Sequence, residues 1–444
     1  MTETTKILNQ LRDYESRNIT FMEADGSWPI VWERARGTQV WDVAGRKYLD
    51  LTAAFGVAAA GHANPRVVRA GQKQMEKLLH AMGDVHPHGL KGQLARELSR
   101  LTFERWTSGK FKVQGSKFKV GKGTGKTIFC NSGFEAVEAA LKTAMLATSK
   151  PGVIAFEGAY HGVGYGALNA THREHFRSPF RGQMGGFVDF VGFPTTAKQL
   201  QRTAAEIRDL LHYKEIGAVL VEPIQARGGI NVPPKNFLPM VRQLCDEYGA
   251  LLILDEIYTG MGRTGKWFAC EHSRTVPDLI CLGKALTGGF PLSACVGRAD
   301  LMDAAWPASS GEAIHTSTFL GHPVGCAMAL AQIEEIRREQ LVERSAQMGA
   351  YLLRELKQTI SNPQFDISIR GLGLMAGVEL CLRGRVPATI ATLRVIKEML
   401  HAGFILLPEG SHANVISFTP PLTITRAQLK KTVKTLQRIL SEAK

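Results

Sequence analysis

Cysteine is scarce in this sequence and is not arranged for disulfides or zinc. Seven of the 444 residues are cysteines, an odd number, and no two of them form a C-x-x-C pair. They lie largely within apolar runs, which is typical of reduced thiols. The pattern argues against a disulfide framework and against a metal site, and it favours a cytoplasmic protein.

Long hydrophobic runs are also missing. No apolar stretch approaches the roughly 20 residues that are needed to cross a bilayer. The first segment of the chain, MTETTKILNQLRDYESRN, is polar and has no apolar signal core. We therefore expect no membrane role.

Acidic residues are fewer than basic ones, which gives the chain a formal net charge of +14. Such a charge suits an anionic partner, and phosphate, carboxylate substrates and nucleic acid all qualify. The excess is concentrated in Lys110 to Lys126, which holds six lysines and no acid. A like-charged run is usually a solvated loop, and a nucleic-acid patch is the alternative. We favour the loop and expect no nucleic-acid partner.

Apolar residues make up 44% of the chain, which is enough for a large core, and the length of 444 residues favours two domains. Three short aliphatic runs each end in one charged residue, at Glu222, Asp255 and Lys284. These charges are 33 and 29 positions apart, a spacing typical of strand-helix units. The pattern predicts an α/β fold with a doubly wound parallel sheet.

An acid and an amine at neighbouring strand ends indicate a particular cofactor. The carboxyl ends of parallel strands open onto one crevice, so Asp255 and Lys284 can converge there. Pyridoxal phosphate needs a lysine amine to form a Schiff base with its aldehyde and a carboxylate beside its ring nitrogen. Taken singly, each residue has an ordinary alternative, with Asp255 as a loop cap and Lys284 as a solvated side chain.

A resemblance to a known family supports the cofactor. The segment Asp255 to Gly265, DEIYTGMGRTG, is similar to the pattern D-E-V-Q-T-G-F-G-R-T-G of the class III aminotransferases, and Lys284 follows in LGKALTGGFP at that family's usual distance. The resemblance implies the type I pyridoxal-phosphate transferase fold, with a large, mainly parallel sheet domain and a smaller α/β domain. We expect the large domain at 61–323, the small domain at 324–444, and an N-terminal segment at 1–60 that joins the small domain.

The resemblance also implies an activity. It implies pyridoxal-phosphate-dependent transfer of an amino group from an amino acid or amine donor to a 2-oxo acid in two half-reactions, with Lys284 and Asp255 catalytic. Racemases, epimerases and aminomutases share the scaffold and the cofactor contacts, so an enzyme of that kind is the alternative. A basic nucleic-acid-binding protein is a remote alternative.

A candidate anion site lies in NSGFEAVEAALKTAML, where a helix follows a short strand. Ser132 with Glu135 is predicted to form a capping box, and the free amides of such a helix start bind anions, with Gly133 allowing close approach. A plain capped helix, in which Glu135 repels anions, is the alternative on these residues alone. The resemblance implies that Ser132, Gly133 and Phe134 hold the cofactor phosphate, although Phe134 stands where the family usually has Thr, Ser or Ala.

The resemblance implies four further cofactor contacts. Tyr160, in a Y-H-G sequence, is expected to stack on the cofactor ring, and Ile257 is expected to pack on the other face. Glu222 is expected near the cofactor and substrate groups. Tyr258 stands where the family has Gln beside the ring oxygen, and a phenol could still donate a hydrogen bond there. On the residues alone, Tyr160 could be a core residue and Glu222 a loop-end acid.

The residues around the substrate depart from the family pattern. Phe55 and Val57, in AAFGVAAAG, resemble the stretch that lines the family's substrate mouth, and a packed core turn is the alternative. Val163 and Ser417 stand where related enzymes carry arginines that hold a substrate carboxylate. Arg227 is a possible replacement. We therefore expect donors whose carboxylate is remote, esterified or absent, or is held by another arginine.

The loop IHTSTFLGHP, at 314–323, resembles the family loop that crosses a two-fold axis. The resemblance implies a homodimer in which Thr318 reaches the cofactor phosphate of the neighbouring subunit. By itself Thr318 would be an ordinary turn residue. The expected partners are thus a small-molecule amino donor, a 2-oxo acid acceptor and a second copy of the chain.

Overall fold

The computed structural model describes residues 2–23, 26–108 and 123–442. Most of the basic segment Lys110 to Lys126 lies outside these described residues, so its assignment as a solvated loop stays a prediction. Within the described ranges, no helix combines the length and the apolar character needed to cross a bilayer. The cytoplasmic location stays a prediction.

Helices occur along the whole described chain. Their bounds are α1 Glu3–Tyr14, α2 Ala53–Gly56, α3 Pro65–Lys77, α4 Gly89–Ser99, α5 Arg105–Thr107, α6 Gly133–Thr148, α7 Tyr165–Ala170, α8 Glu174–Arg177, α9 Ala197–Tyr213, α10 Phe237–Tyr248, α11 Ala299–Ala305, α12 Pro323–Arg338, α13 Leu341–Thr359, α14 Thr389–His401 and α15 Arg426–Glu442.

The strands form three sheets. Their bounds are β1 Trp32–Arg36, β2 Gln39–Asp42, β3 Lys47–Asp50, β4 Gly125–Cys130, β5 Gly152–Phe156, β6 Val188–Val191, β7 Ile216–Val221, β8 Leu251–Asp255, β9 Leu279–Leu282, β10 Ser293–Arg298, β11 Asp366–Gly371, β12 Ala376–Leu382, β13 Val386–Pro387, β14 Phe404–Ile405, β15 Leu407–Glu409 and β16 Val415–Phe418.

The largest sheet has seven strands in the order β4-β10-β9-β8-β7-β5-β6. Strands β5 to β9 pair in parallel, and β10 is antiparallel to both β9 and β4. Every residue of β7, β8 and β9 is buried. Burial on both faces explains why these segments are unbroken aliphatic runs. The predicted doubly wound, mainly parallel sheet is confirmed.

Helices cover both faces of this sheet. Leu251 and Ile253 of β8 belong to the core cluster that contains α6, whereas Leu252 and Leu254 belong to the cluster that contains residues of α9 and α10. The alternation follows from the pleat, which points successive side chains to opposite faces. With both faces covered, ligands can reach the sheet only at its ends.

Two smaller sheets join distant parts of the chain. One has the order β1-β2-β3-β14 and the other the order β11-β12-β16-β15, with β13 paired to β12. Strand β3, near the amino end, pairs in parallel with β14, near the carboxyl end. This pairing supports the proposal that segment 1–60 joins the small domain. The division into 1–60, 61–323 and 324–444 stays a prediction.

Two helical glycines form a matched pair for a test of packing. A Cβ atom at Gly349 of α13 would lie 2.0 Å from the backbone oxygen of Gly373, whereas a Cβ atom at Gly92 of α4 would meet nothing within 4 Å. We expect Gly349→Ala to lower the melting temperature by a few degrees, because overpacking against backbone costs about 1–3 kcal/mol. Gly92→Ala should keep or raise it, since Ala is favoured over Gly in a helix by about 0.5–1 kcal/mol. Equal melting temperatures by circular dichroism would contradict this close approach of α13.

Candidate active site

The carboxyl ends of β5, β7, β8 and β9 share one edge of the parallel sheet, and the segments that follow them line one cavity. The cavity measures about 280 Å³, which is near the lower end of small-molecule sites, about 300 Å³. Nine residues predicted from the sequence line it: Gly133, Phe134, Tyr160, Glu222, Arg227, Asp255, Ile257, Tyr258 and Lys284.

Asp255 is the last residue of β8 and is buried, with 5% of its surface exposed. Its Oδ1 accepts a hydrogen bond from the Ile257 backbone amide at 3.1 Å, and its Oδ2 lies 2.8 Å from Nδ1 of His161. Nε2 of His161 is buried and has no hydrogen-bond partner among the described residues. These contacts fix the carboxylate in one orientation toward the pocket.

Sequence reasoning did not assign a role to His161, which also lines the pocket. The signal was its place directly after Tyr160 in the Y-H-G sequence. A histidine that is hydrogen-bonded to a buried carboxylate holds that carboxylate in place. His161 is therefore a positioning residue for Asp255.

Glu222, directly after β7, ties two loops of the pocket together. Its Oε1 accepts a hydrogen bond from the Tyr160 backbone amide at 3.0 Å, and its Oε2 accepts one from the Ala226 amide at 3.1 Å. Burial, with the nearby charge of Asp255, raises the pKa of Glu222 to about 7. A carboxyl group in this state can carry or release a proton near neutral pH.

Lys284 lies two residues beyond the end of β9 and adopts a left-handed backbone conformation with φ of +42°. Such conformations are uncommon outside glycine and are concentrated at functional sites. Burial lowers the pKa of the Lys284 amine, and the charges of Asp255 and Glu222 oppose this shift. A larger share of this amine is therefore neutral, and nucleophilic, than in a solvated lysine.

The Tyr258 ring packs beside this amine. Nζ of Lys284 lies 4.5 Å from the centroid of the ring, and the Tyr258 hydroxyl lies 3.1 Å from Oγ1 of Thr419. A Cβ atom at Gly56 would come within 2.9 Å of the ring, so the absence of a side chain there makes room for it. Burial raises the pKa of Tyr258 to about 12, which keeps the phenol neutral.

The start of α6 forms part of the wall of the pocket. The Glu135 carboxylate accepts a hydrogen bond from the Ser132 amide at 2.9 Å, which is one of the two bonds of the predicted capping box. The amides of Gly133 and Phe134 are in the first helical turn, where no intrahelical acceptor exists. The Ser132 hydroxyl is buried without a hydrogen-bond partner among the described residues. A Cβ atom at Gly133 would lie 3.0 Å from Cδ1 of Ile257, so a larger residue there would require the Ile257 side chain to shift.

Five predicted site residues do not line the cavity of the single chain: Ser132, Phe55, Val57, Ser417 and Thr318. Ser132 is next to the pocket residue Gly133. Phe55 is about half exposed, at 48%, and is the neighbour in sequence of Gly56, which lies against the Tyr258 ring. Ser417, in β16, is buried, and its hydroxyl donates to the Leu407 carbonyl at 3.1 Å. Thr318 is exposed.

Pyridoxal phosphate fits these groups. Lys284 offers an amine of lowered pKa to the aldehyde, and Asp255 offers a fixed, buried carboxylate to the ring nitrogen. The start of α6 offers free amides and the unpaired hydroxyl of Ser132 to the phosphate. Fold and site together define a pyridoxal-phosphate-dependent transferase of the type I fold.

Known proteins match the chain along most of its length. The family model for class III aminotransferases matches residues 21–440. An acetylornithine aminotransferase from Methanosarcina mazei is 36% identical over 417 residues, which are 94% of this chain and 93% of the relative. A putrescine aminotransferase from Pectobacterium atrosepticum is 37% identical over 421 residues, which are 93% of this chain and 82% of the relative. The structure of an omega transaminase from Pseudomonas jessenii in complex with PMP has a TM-score of 0.87 at 26% identity and covers 100% of this chain and 98% of its own.

The chain therefore belongs to the class III aminotransferases. It is a pyridoxal-phosphate-dependent enzyme that moves an amino group from an amino acid or amine donor to a 2-oxo acid. The family, fold, cofactor and reaction predicted from the sequence are confirmed. The roles of the individual residues stay predictions.

The geometry predicts that Asp255→Asn lowers kcat by about 100-fold or more, because the buried negative charge that faces the cofactor ring is lost. Asp209→Asn, on the exposed side of α9, is the matched control and should keep the kcat of the parent enzyme. The measurement is steady-state amino transfer with saturating pyridoxal phosphate. A kcat in Asp255→Asn equal to that of the control would rule out this role.

Proposed function

We propose that Lys284 binds pyridoxal phosphate covalently and carries the proton during amino transfer, while Asp255 holds the ring nitrogen. The observation that supports this most directly is the parallel pairing of β8 with β9. This pairing brings two residues that are 29 positions apart in sequence into one pocket. When bound, pyridoxal phosphate supplies the aldehyde and a ring that accepts electrons.

The proton step rests on the environment of the Lys284 amine. Because burial lowers its pKa, a larger share of the released amine is neutral than in a solvated lysine, and Nζ can accept a proton from the substrate carbon that bears the amino group. Nζ then returns a proton on the way to the product. The Asp255 carboxylate would favour the protonated ring nitrogen, since opposite charges at short range stabilise each other.

The remaining cofactor contacts are proposed from the walls of the pocket. The amides of Gly133 and Phe134 and the Ser132 hydroxyl hold the phosphate. Tyr160 and Ile257 flank the ring on its two faces. These assignments are supported by the position of four of the residues in the pocket lining and of Ser132 at its edge. Glu222 and Tyr258 complete the polar surroundings of the ring.

The substrate carboxylate is proposed to bind an arginine other than the two that relatives use. Val163 lines the pocket and is 52% exposed, so it presents an apolar surface at the entrance. The Ser417 hydroxyl donates its hydrogen bond to the backbone carbonyl of Leu407. Arg227 is the arginine that lines the cavity. This arrangement supports the prediction that another arginine holds the carboxylate.

The function is tested by a single half-reaction. Holoenzyme mixed with an amine donor and no oxo acid should lose its visible cofactor absorbance and form pyridoxamine phosphate. Lys284→Ala should show no such conversion and no covalent adduct after borohydride reduction, because no amine faces the aldehyde. Lys266→Ala, an exposed lysine in the loop after β8, is the matched control and should behave as the parent.

Two results of this experiment would overturn the proposal. Undiminished conversion in Lys284→Ala would remove the lysine from the mechanism. Retained cofactor absorbance together with loss of optical purity in a chiral amino acid would indicate a racemase instead of a transaminase.

A homodimer is proposed, with Thr318 reaching the cofactor phosphate of the second copy. The loop that carries Thr318 leaves large apolar side chains exposed, with Ile314 at 76% and Phe319 at 52%. The segment after α3 extends this surface, with Leu79 at 60% and Met82 at 56% exposed. The two segments are in contact, since the His80 ring lies 5.4 Å from the Phe319 ring. A contiguous apolar surface of this kind favours a protein interface.

We expect Phe319→Asp to shift the protein toward monomers at micromolar concentration, because a charge would be buried without a partner in the interface. The matched control is Ile390→Asp, at another exposed apolar residue, 86% exposed, on α14. Sedimentation velocity distinguishes a 48.6 kDa monomer from a dimer of twice that mass. A monomeric parent protein, or equal dissociation of the two variants, would contradict the proposed interface.

A further inference from the structure

Three charged side chains from separate segments meet beside the active-site cavity. Arg173 precedes α8, Arg227 lies in the loop after β7, and Glu409 ends β15 of the C-terminal sheet. Arg227 lines the cavity, and its guanidinium carbon lies 5.1 Å from the centroid of the Tyr160 ring. The three segments are far apart in sequence, so the tertiary fold alone brings these charges together.

The donors of both arginines are largely unused. Nε of Arg227 lies 4.0 Å from Oε2 of Glu409, beyond hydrogen-bond distance, and both atoms are buried without a hydrogen-bond partner among the described residues. The Arg173 guanidinium packs over the Phe176 ring at 5.5 Å. Within the described ranges the Arg173 side chain has no ion pair shorter than 4 Å. The guanidinium groups of Arg173 and Arg227 therefore have hydrogen-bond donors that a ligand can use.

An ordinary structural ion pair looks different in this protein. Nη1 of Arg370 lies 2.6 Å from Oε2 of Glu379, and its other nitrogens bond backbone carbonyls. The hydrogen-bond donors of the Arg370 guanidinium are therefore used by Glu379 and by backbone carbonyls. Arg173 and Arg227 form no such bonds with the described residues, and the buried Nε of Arg227 is left without a partner at a cost of about 1–3 kcal/mol. This contrast argues against a purely structural role.

The charges of the cluster do not balance. Glu409 is 4% exposed and supplies one carboxylate for two guanidinium groups. Burial, and then the charge of Arg227, lowers the pKa of Arg173, while Glu409 opposes this shift. Burial also raises the pKa of Glu409 to about 7, against the effect of both arginines and of Lys284. A second negative charge, brought by a ligand, would balance the second guanidinium group.

The cluster lies close to the reacting amine, since Arg227 and Lys284 line the same cavity. A group bound at the cluster would therefore belong to a molecule whose nitrogen or carbonyl carbon is at Lys284. Guanidinium forks bind carboxylates through paired hydrogen bonds.

The geometry points to Arg173 and Arg227 as a two-arginine site for the carboxylate of the 2-oxo acid acceptor, with Glu409 as the resident anion that competes with it. This inference deepens the proposed function and rests on it. It assigns carboxylate recognition to residues from three segments, of which Arg173 and Glu409 carry no sequence signal.

The test compares a 2-oxo acid acceptor, which carries a carboxylate, with an aldehyde acceptor, which carries none. Pyruvate and propanal are given to the pyridoxamine form of the holoenzyme, and the ratio of their kcat/KM values is measured. Arg173→Met and Arg227→Met should each lower this ratio by about 10- to 100-fold, as expected for loss of a hydrogen bond between charged groups. Glu409→Gln should raise it, because the competing anion is gone. Arg227→Lys should fall between the parent and Arg227→Met.

Arg181→Met is the matched control, because Arg181 is exposed and pairs with Glu174 on the surface. It should leave the ratio unchanged. Cofactor absorbance and melting temperature report whether each variant is folded and loaded. Calorimetric binding of propionate to the holoenzyme, weakened in Arg173→Met and Arg227→Met and strengthened in Glu409→Gln, is an independent readout that requires no turnover.

Equal loss for pyruvate and propanal in the arginine variants would overturn the inference and indicate a structural role. An unchanged ratio together with unchanged propionate binding would also overturn it. Either result leaves the proposed function intact as long as the parent holoenzyme converts its cofactor with an amine donor. Failure of that conversion in the parent would instead refute the proposed function.

Discussion

The parallel pairing of β8 with β9 is the constraint on which the site depends. It places the carboxylate of Asp255 and the amine of Lys284 at one edge of a sheet whose faces are covered by helices. Charges in such a place are costly unless they are paired or hydrogen-bonded. His161 and the Ile257 amide satisfy Asp255, while the amine of Lys284 responds to burial with a lowered pKa. Burial is therefore costly for the folded state, but it fixes the Asp255 carboxylate and makes the Lys284 amine more nucleophilic.

The loops around this pair are held by side chains that bond backbone atoms. Glu222 connects the loops after β5 and β7 through the amides of Tyr160 and Ala226. The hydroxyl of Tyr258 is next to Thr419, which itself donates to the Thr52 carbonyl. The large sheet, the N-terminal segment and the C-terminal sheet are therefore linked at the pocket. A rigid surround of this kind keeps reacting groups within the narrow range of geometry that catalysis needs.

The substrate end of the pocket is where this chain departs from its family pattern. Val163 and Ser417 provide no cation, and the charges present nearby come from Arg173, Arg227 and Glu409. This cluster contains two arginines and one glutamate, and it lies beside the cavity that also holds the Lys284 amine. Recognition of an anionic group by unsatisfied donors is stronger than by exposed ones, because water competes less in a buried site.

The sequence by itself determined the sheet and the cofactor, and it predicted nine of the residues that line the pocket. Strands buried on both faces must be aliphatic throughout, so β7, β8 and β9 could be recognised locally. A charged residue of the pocket stands at the end of β8 and within two residues of the ends of β7 and β9. The helix start at Gly133 had a local signature as well. His161 could have been found, since it is adjacent to Tyr160.

Only the tertiary structure decided which charged residues lie near Arg227. Arg173 and Glu409 are 54 and 182 positions away from it in sequence, and neither belongs to a local pattern. Whether an arginine is saturated or keeps free donors depends on distances between segments that the chain brings together on folding. Hydrophobic periodicity carries no information about such distances, because it reports which face of an element is buried and not what lies opposite.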